Sequence, residues 1–464
     1  MSLDAFTPAH RIADHIRAGE VSAETVTGDY LARIATLNPA ISAFTDVTAQ
    51  RALGQARGID AARARGETLG PLAGVPFAVK NLFDIEGLPT RAGSKINRER
   101  APATRDGELV ERLSAAGAVL LGGLNMGEYA YDFTGDNAHD GACRNPHDPS
   151  RMAGGSSSGS GAATAAGLAP ISLGSDTNGS IRVPSSLCGI FGLKPTYGRL
   201  PRTRSFPFCD SLDHLGPFAR DVTDLALAYD LLQGPDAHDP ACAQRPAEPC
   251  LPGLNAGTAG LRIAVATGHF STEGMPEALA AVAAVAQALG ASRTIDLAGA
   301  ALARAAAFLI TNGESAAFHL DRLRARADDF DPDTRDRFLA GAMQPSAWYI
   351  QAQRVRRWFH DQVMRAFEDI DLIVAPATPC VAPLIGQTTL DLRGETVPLR
   401  PNLGIFTQPI SAIGLPVAAV PVFGPGLPIG VQLIAAPWRE DLCLRAAFAL
   451  EQAGVCAARP PVLS

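Results

Sequence analysis

Two serines and one lysine have local sequences that could support nucleophilic catalysis. Ser156 lies in the glycine- and serine-rich run at residues 154–161, and Ser180 ends a polar segment that follows a predicted strand. Lys80 ends an apolar, strand-like run at residues 74–80. A serine hydroxyl must lose its proton as it attacks, and a lysine amine accepts that proton only if burial lowers its pKa. Their residue types therefore make these three side chains candidates for nucleophilic chemistry.

Lysine is scarce in this chain, and each one that remains needs an explanation. Only three of the 40 basic residues are lysine, namely Lys80, Lys95 and Lys194. A general bias toward arginine explains the depletion, but arginine cannot replace lysine where a proton must leave. Lys194 precedes a proline in what reads as a structural turn, and Lys95 lies in a polar, solvated stretch. Of the three, Lys80 ends the apolar, strand-like run at residues 74–80, which makes it a candidate for proton transfer.

The run at residues 154–161 does not fit three common interpretations of a glycine-rich loop. A phosphate-binding loop has Lys and Ser or Thr directly after its last glycine, where this chain has two alanines. A dinucleotide fingerprint needs a preceding strand, and residues 145–152 are polar and contain proline. The letters GSSSG match a nucleophile elbow, but the elbow also needs that strand and a suitably placed histidine.

The second serine-containing segment, residues 174–182, reads GSDTNGSIR between a predicted strand and a run that could start a helix. Successive backbone N–H groups in such a turn form an anion-binding nest. Ser180 ends the nest, where an attacking hydroxyl and an oxyanion hole would coincide. The alternative is a plain strand-to-helix turn with a capping serine. Asp176 and Arg182 are predicted to hold the loop, and a direct substrate contact by Arg182 stays open.

These segments together resemble the amidase signature family. The matching motifs are GGSSSGSGAA, SDTNGSIRVP, GVPFAVKNLFD, NPHDPSR, FGLKPTYGR and LPIGVQLI, and the resemblance spans roughly residues 6–454. It implies a fold with a central mixed β-sheet covered by helices on both faces. It also implies hydrolysis of a C–N amide bond through an acyl-enzyme, with no metal and no organic cofactor.

Roles carried over from that family fall on residues of this chain one by one. Ser180 resembles the acylated nucleophile, Ser156 the bridging serine held by a cis peptide bond, and Lys80 the general base. The oxyanion hole implied by the resemblance consists of the backbone N–H groups of Thr177, Asn178, Gly179 and Ser180. Asn178 stands where many relatives have glycine. It either narrows the pocket or adopts a left-handed conformation, which asparagine tolerates well.

The substrate is less constrained than the chemistry. Residues 127–148 are similar to carboxybiuret hydrolases of s-triazine breakdown, which favours a small carboxylated or urea-like amide. Tyr129, Tyr131 and Asp132 are candidate pocket residues, with ordinary packing as the alternative. Arg337 is a candidate clamp for a substrate carboxylate.

Two other functions compete with this interpretation. The glutaminase (A) subunit of a tRNA-dependent amidotransferase shares the FGLKPTYGR motif, but those proteins carry an acid before the letters IFT. This chain has Gly404 there, which argues against free glutamine because its ammonium would lack a countercharge. A non-catalytic scaffold would not need all three catalytic positions filled.

Composition restricts the partners. A net charge of −7 argues against direct nucleic-acid binding, and the most apolar stretch, residues 405–423, is interrupted by prolines and does not predict a membrane span. The eight dispersed cysteines and the absence of a signal-peptide pattern predict a cytoplasmic protein with free thiols. A homodimer or a small partner subunit stays open.

Short apolar strands alternate with helices, which is typical of a layered α/β fold. We predict one domain over residues 1–464. Residues 1–70 form its N-terminal helical region, and the Pro- and Asp-rich residues 233–257 form a surface excursion between two halves.

Overall fold

The computed structural model describes residues 3–462 and contains fifteen strands and fifteen α-helices in that range. The strands are β1 Phe44–Val47, β2 Pro76–Lys80, β3 Val119–Leu124, β4 Arg144–Asn145, β5 Asp148–Met152, β6 Ile171–Asp176, β7 Phe191–Lys194, β8 His214–Ala219, β9 Ile263–Thr267, β10 Arg293–Asp296, β11 Leu372–Pro376, β12 Thr389–Leu392, β13 Glu395–Pro398, β14 Val417–Phe423 and β15 Pro428–Ile434. The helices are α1 Ala9–Ala18, α2 Ala23–Ile41, α3 Ala49–Ala64, α4 Glu108–Ala115, α5 Ser158–Ala165, α6 Arg182–Cys188, α7 Val222–Leu232, α8 His269–Thr272, α9 Pro276–Ala288, α10 Ala300–Arg326, α11 Pro332–Ala342, α12 Ser346–Ala366, α13 Leu399–Asn402, α14 Gln408–Ala412 and α15 Glu440–Gln452.

Eleven of the strands form one mixed sheet, in the order β1-β3-β2-β6-β8-β7-β14-β15-β11-β9-β10. Strand β2 pairs in parallel with both β3 and β6, whereas β8, β7, β14 and β15 run antiparallel to their neighbours. Most central strands are buried along their whole length, as expected for a sheet covered by helices. The predicted layered α/β fold with a central mixed sheet is confirmed.

The small residues of α5 allow the backbone to approach its neighbours closely. Every residue of this helix is buried, and it packs beside β2, β3 and β6. A Cβ atom on Gly159 would lie 2.3 Å from the carbonyl oxygen of Ala43 and 2.5 Å from the backbone nitrogen of Asn125. No side chain fits there, which explains why the sequence is so rich in Gly, Ser and Ala at this point.

Two local expectations from the sequence need correction. The N-terminal region contains the three predicted helices, but Phe44–Val47 adds a short strand between them at the edge of the sheet. A strand, Asp148–Met152, also precedes the glycine-rich run, although none was expected there. It pairs with β4 in a separate two-stranded ribbon, with one further bridge from Arg151 to Leu384, so it does not supply the central-sheet strand of a nucleophile elbow.

Residues 233–257 leave α7 and return to β9 through a short 3₁₀ helix, Leu251–Ala256. Cys242, Cys250 and Leu254 are buried, so this segment packs against the domain along part of its length. Within residues 3–462, no helix combines the length and the apolar character needed to cross a membrane.

Candidate active site

Parallel strand pairing brings the predicted catalytic segments to one edge of the sheet. Lys80 is the last residue of β2, and Asp176 is the last residue of β6, directly before residues 177–180. The two strands are hydrogen-bonded neighbours with Val79 opposite Leu173. Because parallel neighbours end at the same edge, the lysine and the serine-bearing turn meet there.

The Lys80 amine is completely buried and donates hydrogen bonds to two hydroxyl groups. Its Nζ lies 2.7 Å from Ser156 Oγ and 2.8 Å from Ser175 Oγ. Burial, opposed by the carboxylates of Asp213 and Asp176, lowers the pKa of Lys80 to about 7. A substantial fraction of the amine is therefore neutral near pH 7 and able to accept a proton.

Ser156 follows the glycine-rich turn that precedes α5. The Gly155–Ser156 peptide bond is cis, as the family resemblance implied. The next residue fastens this turn to β6, since Ser157 Oγ donates to the carbonyl of Ser175 at 3.0 Å and accepts from its N–H at 3.2 Å. The two serine segments are thus held side by side by direct hydrogen bonds.

Residues 177–180 form a row of free backbone donors within an otherwise fastened loop. Among residues 3–462, no protein acceptor takes a hydrogen bond from the backbone N–H groups of these four residues. Thr177 Oγ1 donates to Asp213 Oδ1 at 2.6 Å, and Thr407 Oγ1 donates to the Asn178 carbonyl at 2.7 Å. Gly179 has φ 143°, and a Cβ there would lie 2.2 Å from Thr407 Oγ1. Such a fixed set of free donors is suited to an oxyanion.

Asn178 contributes its side chain to the pocket wall beside Ser180. Its Nδ2 donates to Thr311 Oγ1 on α10 at 2.9 Å. Its φ is not positive, so the expectation of a left-handed conformation is wrong, and the alternative of a narrowed pocket agrees with its position.

Arg182 is buried behind the loop and lies outside the pocket. Its Nε and Nη2 each lie 2.9 Å from an oxygen of Asp176, and its Nη1 donates to Gln432 Oε1 at 2.7 Å. Burial alone would raise the pKa of Asp176, but the Arg182 guanidinium holds it well below its usual range. The pair fixes the loop, and the structure does not bring Arg182 to a substrate position.

The pocket beside Ser180 is small, with about 20 Å³ of water-accessible volume. Six of the residues predicted from the sequence line this pocket, namely Tyr131, Asp132, Thr177, Asn178, Ser180 and Arg337. The remaining walls are formed by Ala130, Phe133, Phe208, Phe308, Pro401 and Gln408.

Tyr129 does not line this pocket. Its ring is buried in an aromatic cluster, with its centroid 4.0 Å from that of His319 and 5.6 Å from that of Phe330. The Tyr129 hydroxyl donates to Asn97 Oδ1 at 3.3 Å. Ordinary packing, the alternative given from the sequence, describes this residue.

Arg337 and Asp132 both line the pocket, but of the two only Asp132 has an ion-pair partner in the described chain. Asp132 is ion-paired with Arg400, and its Oδ2 accepts from the N–H groups of Thr134 and Gly135. Arg337 lies over the ring of Tyr131 at 4.8 Å and donates to the Tyr131 carbonyl at 3.0 Å. Burial lowers the pKa of Arg337, and among the described residues no carboxylate lies within 4.0 Å of its nitrogens. The pocket therefore carries an unpaired cation.

Two polar residues of the site were missed by sequence reasoning. Ser175 accepts the second Lys80 hydrogen bond, and it was overlooked although it belongs to the same motif as Ser180. Asp213 orients Thr177 and accepts from the N–H groups of Phe208 and Cys209. No sequence motif surrounds Asp213, so only the fold could reveal it.

One group of side chains could hold a metal ion, and it lies at the packing of α1 against α7. In the described chain it consists of His10, Asp221 and Asp224, whose ligand atoms lie within 4.8 Å of one another. Asp224 already accepts from the N–H groups of Ala9 and His10, and it thereby caps α1. Structural capping accounts for this group.

Comparisons with known proteins agree with this geometry. A family model described as Amidase matches residues 25–444. The chain is 55% identical over 447 residues to AtzE, a 1-carboxybiuret hydrolase subunit of Pseudomonas sp. (strain ADP), covering 96% of this chain and 98% of that protein. It is 38% identical over 488 residues to the glutamyl-tRNA(Gln) amidotransferase (A) subunit of Moorella thermoacetica, covering 99% of each.

A solved structure of a similar protein matches over nearly the full length. It was reported as a vestigial protein complex revealing the evolutionary origins of an s-triazine catabolic enzyme. The TM-score is 0.97 at 54% identity, over 98% of this chain and 100% of that chain. The site thus belongs to a hydrolase of carbon–nitrogen bonds other than peptide bonds. The chain is a member of the amidase family.

Proposed function

We propose that the chain hydrolyses a small carboxylated, urea-like amide with Ser180 as nucleophile, Ser156 as bridging hydroxyl and Lys80 as general base. The observation that carries this proposal is the completely buried Lys80 amine, whose pKa is lowered to about 7, in hydrogen-bond contact with Ser156 Oγ at 2.7 Å. A neutral amine beside a hydroxyl can start a proton relay, and no histidine of the described chain lines the pocket.

The proposed reaction has two halves. Lys80 accepts a proton through Ser156 while Ser180 Oγ bonds to the amide carbon, and the oxyanion forms beside the free N–H groups of residues 177–180. Ser156 then returns the proton to the nitrogen, the C–N bond breaks, and ammonia or an amine leaves an acyl-Ser180. Water attacks this ester with its proton passing along the same relay, which releases the acid and restores Ser180.

The substrate class is inferred from charge. Arg337 is a half-buried cation on the pocket wall without a carboxylate partner among residues 3–462, whereas the neighbouring Arg400 is paired with Asp132 and Asp333. A substrate carboxylate would supply the missing charge, and charge-assisted hydrogen bonds to a guanidinium are strong and directional. The relative named as a 1-carboxybiuret hydrolase subunit supports 1-carboxybiuret as the first substrate to assay.

Replacement of Ser180 tests the nucleophile. In the Ser180→Ala variant we expect the rate of ammonia release from 1-carboxybiuret to fall by about 10⁴-fold or more, as for other nucleophile deletions. The matched control is Ser185→Ala, which removes a buried α6 hydroxyl that has no hydrogen-bond partner in the described chain and should leave the rate unchanged. Wild-type activity in the Ser180→Ala variant would refute the mechanism.

Replacement of Arg337 tests the carboxylate contact. For Arg337→Met we expect KM for the carboxylated substrate to rise by about 10- to 200-fold, because loss of a charge-assisted contact costs about 1.5–3 kcal/mol. An uncharged amide of similar size, such as biuret, should show no comparable change. Equal effects on both substrates would show that Arg337 acts through packing against Tyr131.

The glutaminase interpretation is not favoured. Gly404 packs against Phe133, and a Cβ at residue 404 would lie 2.5 Å from that ring. An acidic side chain at residue 404 would require Phe133 to move. With glycine there, the pocket has no negative charge at this position to pair with the glutamine ammonium. Glutamine and 1-carboxybiuret, assayed side by side for ammonia release, decide between the two functions.

We also propose that the chain works in the cytoplasm with a partner subunit. All eight cysteines are free thiols, in keeping with a reducing compartment. The similar Pseudomonas protein is named as a subunit, and the similar solved structure is a complex. A purified chain that is monomeric by light scattering and fully active alone would argue against the partner.

A further inference from the structure

The small pocket beside Ser180 adjoins a much larger cavity. The larger space, called the outer cavity here, has a volume of about 730 Å³ and is lined in part by Ser175, Arg202, Asp213 and His238. Ala130 and Phe208 line both spaces. They therefore form the partition between the nucleophile and the outer cavity.

The small pocket is narrow, and it shares part of its wall with the outer cavity. About 20 Å³ is enough for roughly one water molecule, and every amide substrate is larger than that. Ala130 has a methyl group and no further rotatable atoms, and its φ of 62° belongs to a backbone turn. Of the two residues in the partition, Phe208 alone has a side chain that can swing aside.

Phe208 has a fixed backbone and a ring held only by apolar contacts. Its N–H donates to Asp213 Oδ2 at 2.8 Å, and the residue is 5% exposed. The ring centroid lies 4.9 Å from that of Tyr131 and 6.5 Å from that of Phe338. A change of side-chain rotamer would open the pocket and leave the hydrogen bonds of the loop intact.

The outer cavity also reaches the catalytic lysine. Ser175 lines it, and Ser175 Oγ accepts a hydrogen bond from Lys80 Nζ at 2.8 Å. The Arg202 charge in its wall is compensated by Asp239, so its described lining does not offer a second unpaired cation beside the one at Arg337. The carboxylate end of a substrate is thereby directed to the small pocket.

We propose that Phe208 determines substrate size in this enzyme. The acyl end binds in the pocket of Arg337 and Ser180, and the ring of Phe208 excludes bulk that would extend from the reacting centre into the outer cavity. Removing the ring joins the two spaces and admits substrates with larger substituents. This inference rests on the proposed nucleophile, Ser180.

The test measures covalent modification of Ser180 by short- and long-chain alkyl fluorophosphonates, with intact-protein mass spectrometry and peptide mapping. In each reaction the Ser180 hydroxyl gives its proton to Lys80 through Ser156, Ser180 Oγ bonds to phosphorus, and the P–F bond breaks as fluoride leaves. For Phe208→Ala we expect the long-chain reagent to react at least about tenfold faster relative to the short-chain one, the scale of discrimination that a hydrophobic pocket provides. Phe208→Leu should give an intermediate ratio and serves if the alanine variant does not fold.

Two control variants test whether the change in the labelling ratio depends on Phe208. His238→Ala changes the outer cavity alone and should keep the wild-type ratio. Phe308→Ala enlarges the small pocket at a residue that does not line the outer cavity, and it should raise the ratio less than Phe208→Ala does. A rise in Phe308→Ala that equals or exceeds the rise in Phe208→Ala would overturn the inference. If Ser180 is labelled but the ratio of long-chain to short-chain labelling stays the same when Phe208 is replaced, this inference alone is overturned. If Ser180 is not labelled at all, the proposed nucleophile is refuted as well.

Discussion

Lys80 and Lys194 occupy two regions of the molecule that are alike in most physical respects. Each is the last residue of a strand of the central sheet, and each is completely buried. Burial lowers the pKa of both amines to about 7, opposed in each case by nearby carboxylates that include Asp176. By burial, strand position and pKa alone, the two lysines could not be told apart.

They differ in the groups that accept their hydrogen bonds. Lys80 Nζ donates to the hydroxyls of Ser156 and Ser175, whereas Lys194 Nζ donates to the backbone carbonyls of Pro195 and Leu415. A hydroxyl both accepts and donates, so it can pass a proton, but a carbonyl can only accept. The comparison teaches that a lowered pKa marks a candidate base and that the partner decides whether proton transfer can follow.

The largest contrast should come from replacing each lysine with methionine, which keeps most of the side-chain volume. Lys80→Met should lower kcat by about 10²–10⁴-fold, the usual contribution of a general base. Lys194→Met should retain kcat, because its amine touches no group of the site. Steady-state kinetics on both purified variants measure the contrast. A similar loss of kcat in both variants would contradict the proposed difference between the two lysines.

The pH dependence sharpens the same comparison. The base must be neutral to act, so kcat/KM of the wild-type enzyme should rise as the pH increases through about 7, where Lys80 loses its proton. The Lys194→Met variant should show the same rise at the same pH. If the rise disappears in Lys194→Met, the titrating group is Lys194, and our assignment to Lys80 is wrong.

The smallest effect concerns stability. In Lys194→Met the carbonyls of Leu415 and Pro195 lose a buried donor, which should lower the free energy of unfolding by about 1–3 kcal/mol. Denaturant unfolding followed by circular dichroism measures this change. A variant as stable as the wild type would show that water or a neighbouring group replaces the amine.

Sequence reasoning succeeded where residue type alone restricts the chemistry. The small residues predicted the tightly packed α5, and the family and its enzyme class are confirmed. The roles of Lys80, Ser156 and Ser180 stay predictions, although the structure brings the first two into contact.

The pocket could not be predicted to the same extent because its walls come from distant segments. Tyr129 and Tyr131 are two residues apart, yet only Tyr131 faces the pocket, since Tyr129 and Ala130 both have positive φ and turn the chain between them. Phe208 lies in a segment without any motif. Its proposed role rests on the cavity on each side of it, which sequence patterns do not encode.

The register of β2 against β6 has a consequence for how this enzyme matures. Side chains alternate between the two faces of a strand, so a shift of one residue in the Val79–Leu173 pairing would turn the Lys80 amine to the opposite face of the sheet. A chain misaligned in this way could still be compact and helical. Recovery of turnover during refolding would therefore report correct strand alignment more sensitively than any measure of secondary-structure content.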